Sequence, residues 1–247
     1  AAIPVHKIYA GFTENTNHPN TLASGTILAD GSLVLKLYYD RNTFTVSFQT
    51  NSTATISDLT NQKYGAKIAK PNDPTRQGYT FSGWYKEASL TNPWDFLADT
   101  ITTNTTLYAK WAASNTTSYT VEHYTQDLNL STYSKAELET LSGPTATVVN
   151  ATYKTYPGFT KDESNANTQI SGTIAGDGSL VLRLYYTRNT YTVSFQTNST
   201  ATISDLTNQP YGATIAKPTD PTRQGYTFAG WYKEATLATA WNFTNDT

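Results

Sequence analysis

The sequence predicts a β-rich α+β chain in which tandem small domains form an elongated array. Three observations lead to this prediction. A long internal repeat covers most of the 247 residues, apolar and polar residues alternate with a period of two, and short stretches of each repeat favour a helix. Tandem copies are typical of quasi-one-dimensional arrays and not of a single active site.

The repeat aligns residues 1–100 with residues 148–247 at a constant offset of about 147 positions. Each period splits into two unlike halves, which we name segment A and segment B. The chain consists of an incomplete A at 1–42, B at 43–111, A at 118–189, and B without its last strand at 190–247. The connections between segments are short and contain no Gly/Ser tract, so we expect limited bending.

Strands are predicted wherever apolar residues occupy every second position. Phe44, Val46 and Phe48 alternate with polar residues, and the same period holds for 33–39 and 107–111. We expect the apolar set to form a core. Six core positions are predicted, three in each copy: Leu35, Phe48, Trp84, Leu182, Phe195 and Trp231.

Turns and helices complete the expected α+β pattern. The Asp-Gly pairs at 30–31 and 177–178 predict hairpin turns, because glycine adopts positive φ cheaply. Good helix formers follow Ser134 up to Thr140, and Glu137 stands at the reciprocal capping position. The stretch Trp84–Phe96 favours one irregular helical turn. We therefore expect one short helix in each segment.

Composition excludes several function classes. The net charge of −2 argues against a nucleic-acid partner, which would require phosphate neutralisation. The chain has no Cys, so disulfides, Cys metal sites and thiol nucleophiles are ruled out. No apolar run reaches the ~18 residues needed to cross a bilayer, so no membrane insertion is expected. The chain also lacks Met, so we expect Ala1 to be an internal or processed position.

Candidate catalytic and metal-binding residues have simpler structural explanations. His123 lies in an alternating run, and no ligand spacing accompanies it. Asp58 and Asp73 recur in the second copy, where turn or cap roles account for them. We predict no catalytic residues, no cofactor and no bound metal, and hence no enzyme.

Aromatic residues are the better functional lead, with 18 Tyr and 5 Trp in the chain. Small domains need large apolar side chains in their cores, which accounts for the Trp residues. Tyr tolerates a partly wet position and can stack on a sugar, so core and ligand-contacting roles both stay open for it. The candidate ligand contacts are Tyr38, Tyr85, Tyr108, Tyr185 and Tyr232.

Segment B closely resembles the Listeria–Bacteroides repeat, the internalin B-type repeat of bacterial surface proteins. The resemblance rests on FTVSFQTN, GYTFSGWY and TLYAKW, together with Pro71 and Pro74. Segment A is similar to the mucin-binding-protein (MucBP-like) repeats of Gram-positive surface proteins, through YTVEHYT, the segment at 156–160 and GSLVLRLYYTRN. Both families resemble the β-grasp fold, so the resemblance implies tandem β-grasp-like domains.

The resemblance also implies a secreted or cell-wall-attached protein in which such repeats form a stalk. We therefore expect a non-enzymatic extracellular repeat region that acts as a spacer for adhesion. Two alternatives stay open. The chain could be an adhesin module that contacts host glycans, mucin or a protein receptor. It could also be a filament subunit whose incomplete terminal segments accept strands from neighbouring chains.

Overall fold

The computed structural model describes all 247 residues, which form β-strands and no helix. The chain divides into two compact units, residues 1–114 and 115–247, each holding one A and one B segment. The strands are β1 Phe12–Glu14, β2 Tyr39–Arg41, β3 Thr43–Gln49, β4 Leu59–Lys63, β5 Tyr79–Tyr85, β6 Thr105–Ala113, β7 Thr117–Gln126, β8 Tyr133–Gly143, β9 Val148–Asn150, β10 Phe159–Lys161, β11 Ser171–Thr173, β12 Val181–Arg188, β13 Thr190–Val193 and β14 Leu206–Pro210.

Segment B at 43–111 is a four-stranded mixed sheet with the order β4-β3-β6-β5. Its first and last strands, β3 and β6, are parallel neighbours, and β4 and β5 flank them in antiparallel pairing. The predicted alternation is confirmed, since Val46, Phe48, Leu107 and Ala109 are buried on one face. Trp84 of β5 completes this core at 2% exposure.

Segment A at 118–189 has a second four-stranded sheet, with the order β10-β12-β7-β8. Here too the first and last long strands, β7 and β12, are parallel neighbours. The short strands β9 and β11 form a separate antiparallel pair. The buried core comprises Tyr119, Val121, Ala151, Ile174, Leu182, Leu184 and Tyr186.

The predicted helix at Ser134–Thr140 is wrong, because these residues lie in β8. That strand pairs with β7 from Tyr133 to Gly143, and its Glu139 and Glu137 contact His123 and Lys154, respectively. Tertiary pairing over ten residues outweighs the weak helix propensity of the sequence. The stretch Trp84–Phe96 holds no helix either, although a turn begins at its end, where the amide of Asp99 donates to the carbonyl of Asp95 at 2.8 Å. The fold is therefore all-β, without the helix that a β-grasp domain carries across its sheet.

The two Asp-Gly turns are confirmed, but the hairpins predicted around them are not. Gly31 and Gly178 adopt φ of +69° and +75°. In the complete segment A, however, β11 pairs with β9, and a single bridge from Gln169 to Arg183 links the two sides of the turn. The turn therefore closes a wide loop instead of a tight hairpin.

The same sequence forms strands of different length in the two B segments. TVSFQTN is identical in both B segments, yet β3 has 7 residues and β13 has 4. The predicted burial is confirmed for Phe48, Trp84 and Leu182. The equivalent positions of the other two segments are only partly buried instead: Phe195, Trp231 and Leu35.

Candidate functional site

The contact between segment A and segment B is a tyrosine ring packed against a glycine. Tyr64 follows β4, and its ring covers Gly11, where a Cβ would stand 2.0 Å from the ring. The same contact recurs between Tyr211 and Gly158, where a Cβ on the glycine would again lie 2.0 Å from the ring. Both glycines adopt φ of +76°. Only glycine meets both demands, which are the absence of a side chain and a positive φ.

An arginine at the end of segment A also binds the backbone of each tyrosine. Nη1 of Arg41 donates a hydrogen bond of 2.7 Å to the carbonyl oxygen of Tyr64, and its guanidinium lies 5.0 Å from the centre of the Phe12 ring. In the second copy, Nη1 of Arg188 donates a hydrogen bond of 2.7 Å to the carbonyl oxygen of Tyr211, and its guanidinium lies 4.6 Å from the centre of the Phe159 ring. Each arginine thus joins the end of segment A to segment B.

Backbone hydrogen bonds complete this junction. The amide of Asn42 donates to the carbonyl of Gly11 at 2.9 Å, and the amide of Tyr64 donates to the carbonyl of Asn42 at 2.8 Å. The side chain of Thr13 donates to the Asn42 side chain at 2.7 Å. In the second copy, Asn189 takes the place of Asn42 with the same three bonds at 2.9, 2.9 and 2.7 Å. The connection is therefore a built contact, in keeping with the expectation of limited bending.

Segment A at 118–189 also contains a polar cluster around a buried histidine, which the sequence analysis missed. The His123 ring is fully buried, with Nδ1 2.9 Å from the Tyr186 hydroxyl and Nε2 3.4 Å from Glu139. Lys154 forms ion pairs with Glu137 and Glu139. The wrongly predicted helix concealed this cluster, although the spacing of the two glutamates by two residues is the strand signal that could have found it.

Charge pairing in the cluster favours its ionised forms. The hydrogen bond from Lys154 lowers the pKa of both Glu137 and Glu139, and bonds to these carboxylates raise the pKa of Lys154. Burial, followed by the hydrogen bond to Glu137, raises the pKa of Tyr156 far above its ordinary value. The arrangement is a structural ion-pair network. No group of three or more His, Cys, Asp or Glu residues in the chain is arranged to hold a metal ion.

Comparison with known protein families gives a match to the two B segments. The model of the Listeria-Bacteroides repeat domain matches residues 44–110 and 191–247. The chain belongs to the Listeria-Bacteroides repeat family. The matched residues are those of the two B segments, while segment A lies outside them, so its likeness to mucin-binding repeats stays a prediction. The Gly-Tyr contact therefore joins each Listeria-Bacteroides repeat to the segment that precedes it.

Relatives of this repeat chain are longer proteins. Two proteins of Evansella cellulosilytica, whose names describe them as candidate membrane proteins and one as Gly-rich, are 33% and 30% identical over 215 residues each. They cover 87% and 86% of this chain, which spans 31% and 24% of their lengths. Internalin H of Listeria monocytogenes is 23% identical to this chain over 177 residues. The aligned region is 71% of this chain and 18% of the length of Internalin H. The structure has no helix long and apolar enough to cross a membrane.

The predicted ligand-contacting tyrosines lie in different surroundings. Tyr85 and Tyr108 of the first Listeria-Bacteroides repeat are cross-strand partners on β5 and β6, and both are partly exposed. Tyr38 stacks on a histidine ring at 3.7 Å, and Tyr232 forms a backbone bridge in the incomplete repeat. Tyr185 is 8% exposed beneath another tyrosine. Of the five predicted tyrosines, Tyr85 and Tyr108 are therefore the pair that the structure brings together.

Proposed function

We propose that this chain is a non-enzymatic repeat region of a bacterial surface protein, extracellular and either wall-attached or secreted, which acts as a spacer for adhesion. Its domains in this proposal are the segments 1–42, 43–111, 118–189 and 190–247. The observation that carries the proposal is the A–B junction, which recurs with the same contacts in both copies. A spacer needs fixed angles between its parts, whereas a tether for a mobile domain would use a flexible linker.

The relatives support the surface location. Two are named as candidate membrane proteins and one as an internalin, and this chain spans under a third of each. A repeat region that is a minor part of a long protein suits a spacer better than an active site.

Distance measurements between paired spin labels test the spacer. The chain has no Cys, so Asn17→Cys and Asn72→Cys, both exposed, allow one label in segment A and one in segment B of residues 1–114. We expect a narrow distance distribution. Gly11→Ala in the same doubly labelled chain removes the close approach of Tyr64 and is expected to broaden it. A broad distribution in the unaltered junction would contradict the spacer.

A second candidate is a glycan-binding role for segment B at 43–111. Tyr85 and Tyr108 adjoin on one sheet face, and Lys110 Nζ lies 4.7 Å from the Tyr85 ring centre, so an aromatic platform with a donor beside it is present. Binding of the chain to immobilised mucin that is lost in Tyr85→Ala and kept in Tyr226→Ala, an exposed tyrosine elsewhere, would favour this candidate.

A further inference from the structure

Strand β8, residues Tyr133–Gly143, is a long open edge of the segment A sheet at 118–189. The sheet order β10-β12-β7-β8 gives β8 one neighbour, β7, with which it forms ten registered pairs. No backbone hydrogen bond joins the other side of β8 to the rest of the chain. Because alternate residues of an edge strand direct their N–H and C=O groups away from the sheet, this side of β8 can pair with one more strand.

The other sheet edges of the two complete segments are short or covered. β10 has 3 residues, and β4 has 5, with Asn61 in the left-handed region at φ of +57°. β5 carries a bridge to Pro93 on the side that faces away from β6. β8 has 11 residues, and its register irregularity with β7 precedes a regular run at 137–143. Proteins usually shorten, bend or cover an edge to prevent further pairing, and this run of β8 has none of these protections.

Two exposed leucines flank the open edge. Leu138 is 55% exposed and Leu141 is 42% exposed. Successive strand residues point to opposite faces of a sheet, so Leu138 shares one face with Thr140 and Ser142. Leu141 shares the other face with Glu139, which contacts the buried His123 ring. A strand added to this edge would therefore cover apolar surface on both faces of the sheet.

We propose that the open side of β8 pairs antiparallel with β8 of a second copy of this chain, about a two-fold axis at Thr140. This register pairs residues 137–143 of the two copies and sets Leu138 opposite Ser142 of the second copy. Glu139 then lies opposite Leu141 of the second copy, so no charged side chain directly faces a like charge. A register centred on Leu138 or Glu139 would instead set one glutamate opposite another. The two four-stranded sheets become one continuous sheet across the axis.

The charges near this axis suit a second copy of the chain. Glu137 and Glu139 are each paired with Lys154 of their own chain, and the net charge of the chain is only −2. Repulsion between two copies is therefore small. A strand pair at 137–143 buries less than a standard interface of roughly 1,600 Å², so we expect weak, reversible association. The pairing is independent of the spacer role, because β8 is the sheet edge opposite β10, which follows Gly158 of the A–B junction.

Cysteine cross-linking tests the pairing and its register, because the chain has no Cys. The 247-residue chain carrying Leu138→Cys is mixed with the chain carrying Ser142→Cys and oxidised. Opposite Cα atoms of an antiparallel pair are about 4.5–5.5 Å apart, which a disulfide can span. We expect the mixed disulfide dimer, identified by its mass, to exceed the dimer formed by either variant alone or by Thr60→Cys, an exposed position on the edge strand β4. Equal cross-linking of all these samples, or preferential dimers of Leu138→Cys with itself, would overturn the proposal.

Charge substitution at the two-fold axis tests the same contact without a cross-link. Thr140 is exposed, so we expect Thr140→Lys and Thr140→Glu to keep the fold of segment A. Either variant alone sets like charges opposite each other, and its dimer dissociation constant in sedimentation equilibrium should rise about fivefold or more. Mixing the two variants should restore association, while Thr60→Lys should leave it at the native value. A native chain that stays monomeric at millimolar concentration, or charge variants that associate as tightly as the native chain, would overturn the proposal.

Discussion

The ring of Tyr64 occupies the space where any side chain at Gly11 would begin, since a Cβ there would lie 2.0 Å from the ring. The two residues are far apart in sequence and belong to different segments. The close packing of segment A on segment B within residues 1–114 therefore requires that position 11 carry no methyl group. The recurrence of the contact at Gly158 and Tyr211 makes it a property of the repeat.

Gly11→Ala is expected to loosen the junction. The strain of alanine at φ of +76° costs roughly 1–2 kcal/mol, and the clash with Tyr64 adds about 1–3 kcal/mol. Hydrogen exchange at the amides of Asn42 and Tyr64 in the full chain measures the loss. Gly31→Ala is the matched control, because φ there is +69° with open space around it. If Tyr64→Ala did not remove the additional cost of Gly11→Ala, the ring would not be its source.

Trp84→Ala and Trp231→Ala are expected to differ although the two residues are equivalent. Trp84 is 2% exposed beneath β6, so its removal should cost about 3–5 kcal/mol of unfolding free energy. Trp231 is only partly buried and loses fewer contacts. Hydrogen exchange of the core amides in each segment reports both losses within one chain. Equal losses would mean that β6 adds nothing to the burial of this tryptophan.

Lys154→Met is expected to destabilise segment A at 118–189 at neutral pH, since Glu137 and Glu139 would both lose their ion pair with the lysine and two like charges would remain side by side. Both carboxylates have a lowered pKa, so their contribution is present above the ordinary value of 4.5 and is lost as the pH falls through the lowered pKa. The difference in thermal midpoint between the variant and the native chain should therefore shrink in acid. Lys161→Met is the control.

Lys161 pairs with Glu163, and both side chains are more than half exposed. Such a pair adds little stability, so its variant should keep the native midpoint across this pH range. A Lys154→Met difference that persisted unchanged in acid would show that packing of the lysine stem, and not its charge, stabilises segment A.

The intact mass of the chain is expected to equal the sequence mass, without a side-chain cross-link. Amide formation between a lysine and a carboxylate or asparagine releases water or ammonia and requires an uncharged amine in apolar surroundings. Lys154 has a raised pKa and stays charged. Lys70 is 52% exposed beside Asp73, and Lys217 is 53% exposed beside Asp220. Mass spectrometry that found the loss of one water or ammonia would contradict this expectation.

The sequence correctly predicted strands whose formation depends on the alternation of apolar and polar residues within the strand itself. The alternation around Val46 and Phe48 predicted β3 because a half-buried strand needs that period. The stretch after Ser134 was mispredicted because its strand state depends on antiparallel pairing with β7, the preceding strand, and not on its own helix propensity. Gly11 and Tyr64 recur in the repeat as Gly158 and Tyr211, but nothing in their spacing indicates that they meet.

The parallel pairing of first and last strands has a mechanical consequence. In segment B at 43–111, a pull on the two ends would draw β3 and β6 in opposite directions along their length. The registered pairs from Val46 with Thr105 to Gln49 with Tyr108 would then bear load together instead of opening one at a time. In segment A, β7 and β12 stand in the same relation over six pairs. Each complete segment is thus loaded in shear, the direction in which a sheet best resists tension.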